Sequence, residues 1–243
     1  MDRILIVFSL FLFTLSQTHA ADQALEAFRM VEQKNYEGAA KIYESLIQVH
    51  GATSDLCFNL GTCYLYLQRT PEARVYLERA LSYQPGSEKI KNQLRYINQR
   101  IEPKIEALPA FFLYGGLVRL RDIASSQIWG WVMLTLAFVC GALGIKNNTK
   151  KSTHVLKYVK IAGFLFVITS LIYLSRKQFE YQVSAILMTN SPLKIAPEVN
   201  SQELIPLGAG TKMQVIDSLD GWWKVQLENN DQGWLPKESL AKI

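Results

Sequence analysis

The chain has 243 residues, 26 Lys and Arg against 21 Asp and Glu, and a formal net charge of +5. Lys146, Lys150, Lys151, Lys157 and Lys160 fall in one short segment and account for that excess, so the basic balance does not point to nucleic acid. The histidines (His19, His50, His154) and cysteines (Cys57, Cys63, Cys140) show no metal-ligand spacing, and there is no nucleophilic triad, Gly-rich phosphate loop or HExxH, which argues against an enzyme and implies no cofactor.

Residues 1–20 carry Arg3, an apolar run over 4–15, and then Ser16-Gln17-Thr18-His19-Ala20. Thr18 and Ala20 suit a signal peptidase site before Ala21, which makes 1–20 a signal peptide. The alternative is a retained N-terminal anchor. Residues 21–101 read as helical with a period of 34. With Ser54 as the first position of a repeat, Leu60, Gly61, Tyr64, Ala73, Ala80 and Pro85 fall where the tetratricopeptide (TPR) pattern places them. Gly61 and Ala73 are small where two helices cross, Tyr64 fills the groove between them, and Pro85 ends the second helix. One period back, Ala39, Tyr43 and Leu46 mark a good second helix, preceded by a degenerate first helix with Ala27 and Met30. One period forward only a single helix, 87–101, remains, and it reads as the polar cap that stacked repeats need. The expectation is two repeats plus a capping helix over 21–101.

The first helix of each repeat lines a concave surface. Here it offers Phe58, Asn59, Thr62 and Tyr66, with Asp55 and Leu65 beside them, and the cap adds Lys89 and Tyr96. Asn59 and Lys89 match part of the carboxylate clamp of some TPR domains, but Ala24 and Leu25 occupy the first-repeat positions, so that clamp is incomplete. Phe58, Leu65 and Tyr66 suit either a peptide groove or plain core. Cys57 and Cys63, six apart on one helix, point about 120° away from each other and cannot bridge locally.

Residues 102–127 hold Pro103 and Pro109 around an apolar stretch with Arg119 and Arg121, too short and too charged to span a bilayer. An interfacial segment and a linker packed on the repeats are both open readings. Residues 128–145 carry no charge, and at 1.5 Å per residue they reach about 27 Å, close to a bilayer core. A second span over 158–175 is shorter in its uncharged part, so Lys157 and Lys160 must snorkel. Trp129, Trp131, Tyr158 and Tyr173 sit near the span ends, as membrane aromatic belts do; a buried hairpin in a soluble core is the bland reading. The five lysines of 146–160 outnumber the four more dispersed flanking cations, Arg119, Arg121, Arg176 and Lys177, so the intervening loop, 146–157, is expected in the cytoplasm. Both termini then lie on the periplasmic side of a bacterial inner membrane.

From Val183 the pattern alternates between apolar runs and Gly/Asn/Asp turns, the signature of a small β-barrel. In 222–227, Trp223, Val225 and Leu227 share the face expected inside, leaving Trp222, Lys224 and Gln226 outward. The residues Gly210-Thr211, Val215, Gly221-Trp222-Trp223-Lys224-Val225 and Gly233-Trp234-Leu235-Pro236 resemble the bacterial SH3 (SH3b) domain over 183–243. That resemblance implies an aromatic-lined groove for peptide or cell-wall glycopeptide, with Trp222 and Trp234 as candidates. A structural role for both tryptophans is the competing reading.

The order of parts is signal peptide, TPR pair, two spans and SH3b, with the connecting segment IEPKIEALPAFFL. It resembles the BatE family of the Bacteroides aerotolerance (Bat) proteins. The resemblance implies a membrane complex with von Willebrand factor A-type Bat proteins and, indirectly, a MoxR-type ATPase, linked to oxygen tolerance and stress. The fold class expected is a multidomain membrane protein: an all-α TPR stack, a two-helix transmembrane hairpin and an all-β SH3-like barrel. Its expected function is a non-enzymatic scaffold for protein partners; the alternative is a sensor that grips peptidoglycan through SH3b. A thiol-dependent enzyme using Cys57 and Cys63 is a third and weaker reading.

Overall fold

The computed structural model describes residues 20–105, 123–150, 153–181 and 183–243. The expected leader, but for Ala20, and the interior of the 102–127 segment lie outside them.

Five helices come first: α1 (20–32), α2 (Tyr36–His50), α3 (Ser54–Tyr66), α4 (Thr70–Tyr83) and α5 (Glu88–Asn98). The 34-residue period is written into the backbone. Lys34 and Gln68 both adopt φ 61°. Each ends its helix with the same pair of bonds: Lys34 N–H to Val31 O and Asn35 N–H to Met30 O in the first repeat, Gln68 to Leu65 and Arg69 to Tyr64 in the second. These bonds satisfy the orphan carbonyls at a left-handed helix end. Starts are equally local: Asn35 Oδ1 accepts from Gly38 N–H, Thr53 Oγ1 accepts from Leu56 N–H, and a proline stands in the first turn of α4. One core joins all five helices, with Ala27, Tyr43, Leu46, Leu60, Leu77 and Ile97 fully enclosed. Gly61 is required at the α3–α4 crossing, since a Cβ there would lie 2.8 Å from Leu77 Cγ and 3.1 Å from Ala73 O. The first helix, degenerate in sequence, is built and buries Ala27.

Two long helices follow, α6 (Ser126–Lys150) and α7 (Thr153–Tyr181), packed side by side. Within them Ser126–Lys146 and Leu156–Lys177 are long and apolar enough to cross a membrane. Their apolar side chains point outward, Phe138 being 80% exposed. The helices run past the uncharged stretches: most of the 146–157 segment is helical, and so is the polar run after Lys177 as far as Tyr181.

The C-terminal part is one antiparallel sheet of seven strands: β1 (Ser184–Leu187), β2 (Ser191–Lys194), β3 (Glu203–Leu207), β4 (Lys212–Leu219), β5 (Trp222–Gln226), β6 (Gln232–Pro236) and β7 (Leu240–Lys242). The spatial order is β3-β2-β6-β5-β4-β1-β7, with a 3-10 turn, Lys237–Ser239, before the last strand. Leu193, Leu207, Leu235, Val225, Met213, Leu187 and Leu240, one from each strand, share a single core cluster. A flat sheet at about 4.8 Å per strand would hold its edges nearly 30 Å apart, so the sheet must curl around that core in the manner of an SH3-like barrel. The sequence reading missed β2, because Pro192 inside a four-residue strand reads as a break. Trp223 faces the core as expected but is only half-buried, its ring packing on the core edge with Lys242 Nζ 4.7 Å above it.

The barrel docks on the repeats. Thr70, Arg74 and Glu78 form an i, i+4, i+8 stripe on α4. Arg74 Nη1 donates to Gly210 O at 2.8 Å, and Glu78 receives Arg74 Nε at 3.7 Å and Lys212 Nζ at 2.7 Å. Arg79 Nη2 reaches Lys242 O at 3.3 Å. Gly208 abuts the end of the repeats so closely that a Cβ there would overlap the Glu102 carbonyl oxygen and lie 3.3 Å from Ile101 Cγ2. Gly208→Ala should therefore loosen the docking by about 1–3 kcal/mol. Amide exchange in the full chain should rise over 208–213 and leave the Leu60–Leu77 core unchanged; unaltered exchange at 208–213 would refute this contact.

Candidate functional site

Among the described residues, the barrel takes the outer stripe of α4 and leaves the α1–α3–α5 face uncovered. On that face the expected residues meet in part. Lys89 Nζ stands 4.2 Å above the Phe58 ring, and Thr62 Oγ1 lies 3.2 Å from Gln93 Oε1 while donating to Phe58 O at 2.8 Å. Phe58 is thus buried beneath the cap, and the Lys89 charge is held over its ring, away from the clamp geometry. Asn59 is half-buried beside them. Tyr96 is exposed with the Arg100 guanidinium 4.2 Å from its ring. Tyr66 stands apart at the end of α3, 59% exposed and stacked on Tyr36 with centroids 4.5 Å apart.

Sequence reasoning missed Phe28 on this face and counted Leu25 only as a gap in the clamp. Phe28 and Leu25, about half exposed on α1, precede Thr62 and Asn59 by one 34-residue period. Thr62 and Asn59 in turn precede Tyr96 and Gln93 by the same interval. The period that located the repeats also locates this strip, once the first helix is accepted as real. Leu25, Phe28 and Tyr96 leave aromatic and aliphatic surface in water around a polar centre, the composition of a peptide-binding groove.

The second surface is a cleft on the barrel, about 730 Å³, where Trp222 faces Pro192 and Pro236. Lys194, Glu203, Lys237 and Glu238 set charges of both signs around it. Lys194 donates to Val199 O and carries its Nζ 5.8 Å from the Trp222 ring. Trp234 lies on the same sheet face, since Lys224 pairs with Trp234 and Trp222 with Pro236. Trp234 is not among the cleft's lining residues, although Lys194, its partner across β2–β6, is. Trp222 and Trp234 are thus neighbours on one face, with Trp222 lining the cleft.

The thiols take no part in either surface. Cys57 and Cys63 are buried and unbridged. Burial pushes the Cys63 thiol up to about 11 and raises Cys57 as well, Arg79 opposing the latter. Tyr43 is raised to about 12 by burial, and Tyr64 is raised by burial and by the hydrogen bond it donates to Glu44. Among the described residues no group of His, Cys, Asp and Glu is placed to hold a metal ion.

The tetratricopeptide repeat family model matches residues 30–94, roughly a quarter of the chain. No curated protein matches. Among solved structures, the C-terminal SH3 domain of myosin IB from Entamoeba histolytica is 19% identical, free and bound to the EhFP10(GEF) peptide. Each of those matches covers 26% of this chain and 93% of that one, with a TM-score of 0.21. The tetratricopeptide likeness agrees with the helical stack at the start of the chain, and two membrane-length helices separate that stack in sequence from the C-terminal sheet.

The Cys63 shift has a measurable sign. The neutral thiol is the form that folding favours, so stability should fall as pH climbs from the unfolded value of 9.0 toward about 11. Cys63→Ala should blunt that alkaline fall in thermal unfolding. An identical pH profile for both proteins would contradict the burial effect.

Proposed function

We propose that this chain is a non-enzymatic adaptor, anchored by α6 and α7 in a bacterial cytoplasmic membrane, that recruits protein partners on the periplasmic side. The observation that carries the reading is that docking leaves two open recognition surfaces on different modules. The concave face offers Phe28, Asn59, Thr62, Phe58 under Lys89, and Tyr96, with Tyr66 at its margin. The barrel offers Trp222 between two prolines, with Trp234 further along the same face. Direct contact between the modules also supports an even number of crossings, since both must then lie on one side of any bilayer. The lysines of the connecting loop favour the outer side for both. Membership of a Bat-type stress complex, with von Willebrand factor A-type proteins and a MoxR-type ATPase behind them, is the finer form of this reading.

Crosslinked affinity purification from native membranes tests it. Phe28→Ala with Tyr96→Ala should lose one set of partners, and Trp222→Ala should lose another, each by at least about tenfold for an interface anchor. A partner set unchanged by all of these variants would sink the adaptor reading. Retention on purified peptidoglycan, abolished by Trp222→Ala, would transfer the barrel's role to cell-wall sensing. Alkaline phosphatase fused after Ile243, and separately after Arg100, should be active in both cases; silence at either junction would contradict the orientation.

A further inference from the structure

A solvent-open cleft runs between the repeats and the barrel, on the side of α4 and α5 away from the concave face. Its two adjoining parts measure about 290 and 590 Å³ and share Arg74, Asn98, Lys212 and Glu228 as lining. Those volumes fall around the roughly 300–1,000 Å³ of small-ligand sites. The lining is cationic: Lys91, Arg95 and Lys104 join Arg74 and Lys212, against Glu78 and Glu228 alone. Lys91 and Arg95 share one exposed carboxylate, Glu88, at 3.2 and 3.6 Å. Arg74 is 5% exposed, and its Nε donates no hydrogen bond, although Glu78 stands 3.7 Å away. A buried guanidinium with spare donor capacity, ringed by flexible ammonium and guanidinium groups, is the donor set that oxyanions such as phosphate take.

The cleft also stands near both ends of the hairpin. Ser184 on its rim follows Lys177, the end of the second apolar segment, by seven residues, of which the first four are helical. That chain spans at most about 16 Å, six along the helix and ten extended. On the other side the turn between α4 and α5 touches the hairpin's start: a Cβ on Gly86 would lie 3.0 Å from Ile123 O, three residues before Ser126. If the hairpin crosses a bilayer, the cleft lies within reach of the headgroup layer.

We infer that this interdomain cleft binds a phosphate-bearing anion, supplied by the headgroup of an anionic phospholipid. Arg74 and Lys212 form its floor, and Lys91, Arg95 and Lys104 its rim. Occupancy would add a bridge between the two modules that the Glu78 pairs begin. The inference rests on the membrane-spanning reading of α6 and α7.

The full chain, reconstituted into bilayers of phosphatidylcholine alone or of equal parts phosphatidylcholine and phosphatidylglycerol, tests both steps separately. Resistance to alkaline extraction from phosphatidylcholine alone reports the span, whatever the cleft does. Native mass spectrometry then reports lipid carried out with the protein. Wild type should retain phosphatidylglycerol in preference to phosphatidylcholine. The rim variant Lys91→Gln/Arg95→Gln/Lys104→Gln, altered only at solvent-facing positions, should lose at least about tenfold of that retention, and Lys237→Gln on the far cleft should not. Equal retention by wild type and the rim variant, or no preference between the lipids, would overturn the proposal. Protection of 208–213 amides by inorganic phosphate without any phosphatidylglycerol preference would assign the cleft to a soluble phosphoanion and equally overturn the lipid source.

Discussion

The buried guanidinium of Arg74 is the constraint on which the arrangement of this chain depends. A charge removed from water must be paired and hydrogen-bonded, and losing one partner of such a group costs about 3–5 kcal/mol. Arg74 finds Glu78 one turn along its own helix, but its remaining direct acceptor is the carbonyl of Gly210 in the barrel. Glu78 in turn is completed by Lys212, two residues further on. Neither module satisfies its own charges alone. Helix α4 therefore serves two cores at once: Ala73, Leu77 and Ala80 face the repeats, and the Thr70–Arg74–Glu78 stripe faces the barrel.

That docking explains the path of the chain between the modules. The backbone leaves the repeats at Ile101–Glu102, which press on Gly208, and it re-enters the barrel at Ser184 on the same cleft. The intervening excursion must start and finish at nearly the same place. Among the described residues two long helices packed side by side make that excursion. The contact joins residues more than a hundred positions apart in sequence, Arg74 with Gly210 and Glu78 with Lys212. Under the adaptor proposal, partners held on the concave face and at the Trp222 cleft would sit at fixed separation on docked modules.

Much of the fold was legible because its signals are local or periodic. Small residues at helix crossings recur every 34 positions, and the left-handed ends at Lys34 and Gln68 repeat with them. Uncharged stretches of bilayer length mark the hairpin, and alternation marks the strands. The rest was hidden for definable reasons. Pro192 masked a strand, because a four-residue run with a proline carries almost no period. Arg74 and Glu78 carried no sign of docking, since nothing in a single helix distinguishes a charge facing water from one facing another domain. Phe58 and Lys89 were legible as neighbours, but their stacking beneath the cap was not, nor was the role of Leu25 and Phe28 on a helix whose pattern was weak. Trp222 and Trp234 fall on adjacent strands, and only strand pairing revealed that they sit on one face as diagonal neighbours.

The most direct test of this account is a double-mutant cycle between Glu78 and Lys212. Glu78→Gln, Lys212→Met and the double variant would each be followed by amide exchange over 208–213 in the full chain. A coupling free energy above about 1 kcal/mol is the predicted result, because the two charges share one desolvated site. Additivity within about 0.5 kcal/mol would mean that the modules do not hold each other through this contact, and would contradict the account.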